Sequence, residues 1–406
     1  MNFRTLLTVL IILATTVLAA FPQTSPRLTL QAALDLAEKQ NLDLAAARRR
    51  RAVSIAGIHV ARQRPNPTLS FESLRDSPHQ ALLFEQPIEL GLKRARRVDV
   101  ARQEGELTEV EISTLSRQVR RNTREAYYRV VLARSESDRL TRVVQLAERL
   151  KEIAQQRFEA GAVPQLEVIQ AGLEVSRARA DLQVARQRER VSLSELNALL
   201  NEPATTDWTV DDKFGEPTPP LRLEDLIQQA YQSNPELLHL AQEQKVEQSR
   251  RALLRAERIP NLGLQFGSDF NAPPEFNAGP RGSLSLEIPL FMRNQGQIEQ
   301  SSAAQRVLEA EVAAAGRSVA ARVEAGYYDL KAQQTQVELY RDQLLPVARK
   351  VESMAEESYR AGKTSLLSVI TAQQNVQEVE RSYLESRFTL ETILAGLEEA
   401  VGGPIE

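Results

Sequence analysis

Between Pro87 and Pro164 the chain carries no proline, and that interval limits what the whole molecule can be. Small and apolar residues recur there at steps of three and four: Val98, Ala101, Gly105, Thr108, Ile112 and Leu115, then on through Val119, Asn122, Ala126 and Val130 to Phe158. The spacing predicts one coiled-coil-like helix from Lys93 to Ala160, with an extra four-step at Ala126 to Val130 that relaxes the supercoil locally. At about 1.5 Å per residue it would reach roughly 100 Å. Compact domains rarely hold such a helix, and this chain has a second copy, from Arg293 to Ala361.

The repetition extends well beyond those helices. Leu28-Thr29-Leu30 at the head of one helical pattern matches Leu221-Arg222-Leu223, and Asn41-Leu42-Asp43-Leu44 matches Asn234-Pro235-Glu236-Leu237. Pro65-Asn66 matches Pro260-Asn261, Tyr127-Tyr128 matches Tyr327-Tyr328, and Phe158-Glu159-Ala160-Gly161 matches Tyr359-Arg360-Ala361-Gly362. An ordered series at a nearly fixed offset marks a tandem duplication. Each half reads as a leading helix, two short strands, the long helix, a tight turn and a return helix.

The boundaries follow. Residues 1–19 have the layout of a secretory signal peptide: Arg4, an apolar stretch, then small residues at Val17-Leu18-Ala19. The first repeat covers 20–200, with strands at about 66–90 and the long helix at 93–160. A linker at 201–220 holds Pro203, Pro217, Pro219 and Pro220, and Trp208 within it is expected to pack on a helix. The second repeat covers 221–406, with strands at about 261–291 and the long helix at 293–361.

Aromatic residues make up only 5% of the chain and charged residues 26%, which suits long helices with narrow seams better than a globular core. The net charge of −3 gives no reason to expect a nucleic-acid partner. Catalysis finds little support either. Gly362-Lys363-Thr364 ends like a phosphate loop, but Glu357 stands where the earlier glycine belongs. His59, His79 and His239 lie far apart and cysteine is absent, so no zinc site is readable. The expectation is a protein without cofactor, resident metal or enzymatic activity.

In the strands, Leu262, Leu264 and Phe266 alternate with Gly263, Gln265 and Gly267, and Leu284, Leu286 and Ile288 with Ser283, Ser285 and Glu287. Leu69, Phe71, Leu82 and Phe84 play that part in the first half. The alternation fits an outer-membrane barrel strand, and equally a half-buried soluble sheet; strands flanked by helices of this length have no globular core to rest on, which favours the barrel. Four strands cannot close, and an open edge in lipid leaves backbone groups unpaired. Two copies would give eight strands, a barrel just wide enough for side chains; three would give twelve, wide enough for a lumen. The return helix of one half plus the leading helix of the next is about as long as one long helix, so we expect these two to stack, with the C-terminal helix under the first.

Asn66-Pro67-Thr68-Leu69-Ser70-Phe71-Glu72 and Glu85-Gln86-Pro87-Ile88-Glu89-Leu90-Gly91-Leu92-Lys93-Arg94 resemble the strand and post-strand motifs of TolC-like outer membrane efflux proteins, with Gln-Pro-Ile-Glu-Leu-Gly most similar to the CzcC, heavy-metal branch. Leu344-Leu345-Pro346 and Tyr359 to Leu366 resemble that family's approach to the periplasmic tip. The resemblance implies a mainly α fold with a small transmembrane β part. It also implies a homotrimer with a twelve-stranded β-barrel and a twelve-helix tunnel, and an equatorial region around the linker. The location implied is the outer membrane of a Gram-negative-type envelope. Implied partners are outer-membrane lipid, a periplasmic membrane-fusion adaptor and an inner-membrane pump of the resistance-nodulation-division (RND) type. Some relatives carry a lipidated N-terminal cysteine, and this chain has none.

Three groups of site residues follow. Strand parity turns Glu72, Glu85, Asp269 and Glu287 inward, where acidic rings would favour cations; a wet lumen is polar in any case. The tip and adaptor contact comprises Arg157, Glu159, Gly161, Pro164 and Glu167 from the first half, with Arg360, Gly362, Lys363 and Ser365 from the second. Ion pairs there would hold the entrance shut. Lys93, Arg94, Arg96 and Arg97 would meet lipid headgroups, or simply face water. The function expected is a passive exit duct for metal cations; a drug or type I protein export duct is the alternative. A soluble periplasmic coiled-coil scaffold or adaptor is the alternative of another class.

Overall fold

A computed structural model describes residues 27–405, save 74, 212–213, 216–220, 273 and 275. The signal-peptide segment and part of the linker lie outside the described residues. In chain order the elements are β1 (Arg27–Leu28), α1 (Leu30–Gln40), α2 (Leu42–Ala61), β2 (Thr68–Ser73), β3 (Gln80–Ile88), α3 (Lys93–Glu159) and α4 (Gln165–Leu200). There follow β4 (Thr209–Val210), α5 (Leu223–Ser233), α6 (Pro235–Ala256), β5 (Leu262–Ala272) and β6 (Phe276–Leu286). Last come α7 (Gln295–Leu339), a π-helical turn (Tyr340–Leu344), α8 (Leu345–Arg360) and α9 (Leu366–Val401).

The 67 residues of α3 run unbroken. Its seam is spent on five partners: the helices α1 and α2 of its own half, α6 of the other half, and the return helices α4 and α9. Its twin is interrupted. Pro346 offers no N–H and its ring crowds the carbonyl four residues back; the wide turn Tyr340–Leu344 lies directly before it and absorbs that clash.

The leading helices are also broken, at Asn41 and Asn234. Each asparagine ends one helix and caps the next. Asn41 Oδ1 accepts the Leu44 N–H at 3.1 Å, and Asn234 Oδ1 accepts those of Glu236 and Leu237 at 3.0 and 3.2 Å, with Pro235 pre-shaped for the first turn. The amide nitrogens reach downward instead. Asn41 Nδ2 donates to Leu199 O at 3.1 Å, and Asn234 Nδ2 donates to Ala400 O at 2.7 Å.

These bonds correct the expected stacking. Each return helix stands under the leading helix of its own half, α4 under α1–α2 and α9 under α5–α6. The lengths permit either arrangement; the asparagine decides, because it satisfies carbonyls that the end of its own return helix leaves open.

At mid-height β1 pairs in parallel with β4, Arg27 opposite Thr209 and Leu28 opposite Val210, tying the linker back to the start of the first half. Around this pair lies a core of Leu28, Ala37, Tyr127, Val131, Leu196 and Leu200. Trp208 packs there and donates from Nε1 to Asn197 Oδ1 at 2.7 Å. The duplication survives as matching bonds: Tyr127 donates to Leu28 O at 3.2 Å, and Tyr327 to Leu221 O at 3.3 Å.

The four longer strands form one antiparallel sheet in the order β2-β3-β5-β6. Directly paired residues share a face. One face carries Leu69, Phe84, Phe266 and Leu264 with Leu284, and Phe84 stacks on Phe266 at 5.9 Å. The opposite face carries Ser70, Glu72, Glu85, Gln265, Asp269 and Ser283. Among the described residues, nothing pairs with the outer edges of β2 and β6. Among the described residues no helix is long and apolar enough to cross a membrane.

Candidate functional site: the polar sheet face and the helical tip

The two ends of the molecule hold most of the expected site residues, separated by the length of α3. At the sheet, Glu72, Glu85 and Asp269 do share the polar face. Glu287 lies one residue beyond β6, where the ladder has stopped, so the sheet does not fix its direction. Arg281 stands on the same face and approaches Asp269 to 3.6 Å. The face is therefore polar and mixed in sign at its outer end, and acidic nearer the helices.

At the far end the chain reverses at Gly161 and Gly362, with φ of 72° and 74°, a left-handed backbone that favours glycine. Pro164 caps α4 in an extended conformation, and Ser365 caps α9 by accepting the Ser368 N–H at 3.4 Å. The two hairpins then share one apolar cluster of Leu146, Leu150, Ala154, Tyr359, Leu366 and Val369.

Within that cluster Arg157, Glu167 and Tyr359 form a polar link between the halves. The Tyr359 hydroxyl donates to Glu167 Oε1 at 2.6 Å, and Arg157 lies 3.9 Å from the same carboxylate. Arg157 also donates to Tyr359 O at 3.3 Å, and its guanidinium sits 4.7 Å from the centre of the Tyr359 ring. Burial, and then the hydrogen bond to Glu167 and its charge, push the Tyr359 hydroxyl above its ordinary range, so it remains a donor.

The other tip residues stay outside this link. Glu159 accepts from Gln155 Nε2 at 2.7 Å, Arg360 reaches Glu356 at 3.4 Å, and Lys363 is exposed on its turn. Tyr359 belongs to the tip motif but not to the expected site residues. The signal was the mismatch within the repeat, where tyrosine replaces Phe158.

The basic cluster divides in two. Lys93 is buried and donates to Asn261 Oδ1 at 2.6 Å. Arg97 forks onto Glu89 at 2.7 and 3.1 Å and also caps the carbonyls of Ala61 and Gln63. Arg94 and Arg96 are exposed, with Arg94 Nε on Arg62 O and Arg96 3.6 Å from Asp99. Lys93 and Arg97 thus fasten the long helix to the strand ends. Among the described residues no three metal-ligating side chains come together.

Comparison with known proteins agrees with this geometry. The cobalt-zinc-cadmium resistance protein CzcC of Cupriavidus metallidurans is 26% identical over 385 residues, covering 91% of this chain and 89% of that protein. The pyoverdine export outer membrane protein OpmQ of Pseudomonas aeruginosa is 24% identical over 68% of this chain and 60% of its own length. The crystal structure of the outer membrane protein VceC from Vibrio cholerae superposes with a TM-score of 0.73 at 15% identity, covering 93% of this chain and 97% of that one. A family model described as outer membrane efflux protein matches residues 33–202 and 226–403, one block in each repeat. With both halves accounted for, the chain belongs to the outer membrane efflux protein family.

Proposed function

We propose that three copies of this chain close into the outer-membrane exit duct of a tripartite efflux assembly, fed by a periplasmic adaptor and an RND-type pump. The observation that carries the reading is the sheet. One face is apolar, the other polar, and both outer edges lack a partner. An open edge in hydrocarbon costs several kcal/mol per unpaired group, so the sheet reaches its membrane form only when β2 of one copy pairs with β6 of the next.

The helices support the same closure. Leu146 and Leu150 on α3 are buried in the tip cluster shared with α9. Their repeat counterparts on α8, Val347 and Val351, are exposed, as are Leu344 and Met354 on the same three-four stripe. That stripe repeats the buried seam of the first half and needs a neighbour's first half to cover it. The tip link of Arg157, Glu167 and Tyr359 is the proposed latch between hairpins, and Arg360, Lys363 and the turns are left outward for the adaptor. A soluble scaffold would have no use for an exposed apolar sheet face with open edges.

The duct is passive, and its polar wall selects. Glu72 and Glu85 of three copies would line the lumen with acidic rings. Reconstituted in planar bilayers, the protein is expected to pass cations over anions, and Glu72→Gln with Glu85→Gln should move the reversal potential toward zero. An unchanged potential would remove the acidic rings from the mechanism, and absence of conductance would remove the duct.

Metal cations are the proposed cargo, a reading supported by the likeness to the cobalt-zinc-cadmium resistance protein. Cells lacking this chain should then lose growth at several-fold lower zinc, cobalt or cadmium. If their sensitivity rises only toward organic compounds, the cargo follows the pyoverdine-export relative instead.

A further inference from the structure

Below β3, where the chain turns into α3, a cleft of about 1010 Å3 opens between residues 62–65 and the first turns of the helix. Five cationic side chains line it, Arg62, Arg64, Lys93, Arg94 and Arg102, against two carboxylates, Glu89 and Asp99. Both carboxylates are already engaged. Glu89 holds the Arg97 fork, and Asp99 lies 3.6 Å from Arg96 and 3.9 Å from Arg102. Lys93 is spent on Asn261.

The surplus positive charge therefore rests on Arg62, Arg64 and Arg94, all exposed. Among the described residues, Arg62 and Arg64 form no ion pair. The helix adds to the same potential. Leu92 precedes α3 in a left-handed conformation, φ 61°, and supplies no side-chain cap, so the first-turn N–H groups keep their capacity to donate.

The direction of the cleft is set by the sheet. Gln86 and Ile88 line it, and they pair with Leu264 and Leu262 on the face that carries Phe84 and Phe266. The cleft thus continues the apolar face, with Leu90 and Leu92 in its wall. In the second repeat the corresponding stretch Leu290-Phe291-Met292 is exposed and apolar, Phe291 at 90% and Met292 at 82%. Beside it Arg293 donates from Nε to Pro289 O. The two repeats present an apolar rim at the matching position; among the described residues the second backs it with exposed Arg258 alone, the first with Arg62, Arg64 and Arg94.

We propose that this cleft binds the phosphodiester headgroup of one anionic phospholipid per protomer, with the acyl chains laid along the Phe84–Phe266 face. The inference rests on the outer-membrane reading above. Arginine forks match the oxygens of a phosphate, and basic pockets beside an apolar wall suit anionic headgroups. A free phosphate would use the arginines but gain nothing from Ile88, Leu90 and the strand face. The pairing of both surfaces points to a lipid.

The test uses the full chain purified in neutral detergent. Native mass spectrometry counts retained phosphatidylglycerol against phosphatidylcholine, with inorganic phosphate added as a headgroup-only competitor. The wild type is expected to prefer phosphatidylglycerol by about tenfold, and millimolar phosphate should leave that retention in place. Arg62→Gln with Arg64→Gln, which spares the Lys93 and Arg97 fastenings, should lose most of the preference.

Conductance of the same double variant in neutral-lipid bilayers should match wild type. Equal preference in the double variant, no preference in wild type, or full displacement by inorganic phosphate each overturns the proposal. An arginine-dependent lipid preference in a protein that never conducts would sustain the site and overturn the duct.

Discussion

Arg124→Leu is expected to cost the folded protein about 3–5 kcal/mol, the usual penalty for stranding a buried charge. Arg124 projects from α3 into α9, where Nη1 lies 2.7 Å from Glu398 and Nη2 3.2 Å from Glu391. The side chains of Arg124 and Glu391 are only 15% and 5% exposed. Burial works to lower the Arg124 pKa, but Glu398 and Glu391 outweigh it and leave the guanidinium above its ordinary value. Glu391 Oε1 also accepts the Gly215 N–H at 3.1 Å, so the same carboxylate holds the linker.

The linker is pinned further by Phe214, stacked on Tyr128 at 5.8 Å, and by Arg387, which donates to Gly215 O at 2.6 Å. Leucine at 124 would leave Glu391 without its cation and loosen helix and linker together. Adding Glu391→Gln should restore much of the loss, because the more deeply buried of the two stranded charges is then gone, while Glu398 at 26% exposure keeps some water. Thermal and denaturant unfolding of the full chain by circular dichroism measures both. A single variant within about 1 kcal/mol of wild type would show that the network contributes specificity alone.

Much of this architecture was legible because its signals are one-dimensional. A three-four seam without proline is a long helix wherever it occurs, and a duplication is visible in any ordered set of matches. The Gly161 and Gly362 reversals were readable for the same reason, since a left-handed turn selects its residue locally. Stacking was not legible from helix length, since several pairings of the short helices fit one column height.

Asn41 and Asn234 carried the missing information. They were matched as landmarks of the repeat, while their chemistry, a cap that also reaches a carbonyl at the end of the return helix, went unused. The basic run Lys93 to Arg97 was legible only in part. Charge spacing along a helix gives no account of carbonyls and carboxylates brought in from elsewhere, and Asn261, Glu89 and Gln63 O consume two of the four cations. Glu287 was assigned a face by extending strand parity past the point where β6 stops pairing.

Tyr359→Phe should release the tip. The substitution removes one oxygen and keeps the ring among Leu150, Leu366 and Val369, so the apolar packing should change little. What disappears is the bond to Glu167, a hydrogen bond to a charged acceptor worth about 1.5–3 kcal/mol. A shift of 1.4 kcal/mol is about tenfold in an equilibrium, and in the proposed trimer three latches opening together would multiply it. Resting conductance in planar bilayers should therefore rise at least tenfold.

Because the hydroxyl is held above its ordinary pKa, wild-type conductance should show no Tyr359 titration between about pH 7 and 9. The repeat supplies the control. Phe158 stands at the equivalent position, is partly exposed, and lies on a hairpin whose counterpart to Glu167 is Ser368. Phe158→Tyr adds a hydroxyl with no carboxylate at the matching place and should leave conductance unchanged. Equal leakage from Phe158→Tyr and Tyr359→Phe would mean that the tip responds to any disturbance of its packing. Leakage from Tyr359→Phe alone would place the latch on that single oxygen and on the asymmetry the two halves have acquired there.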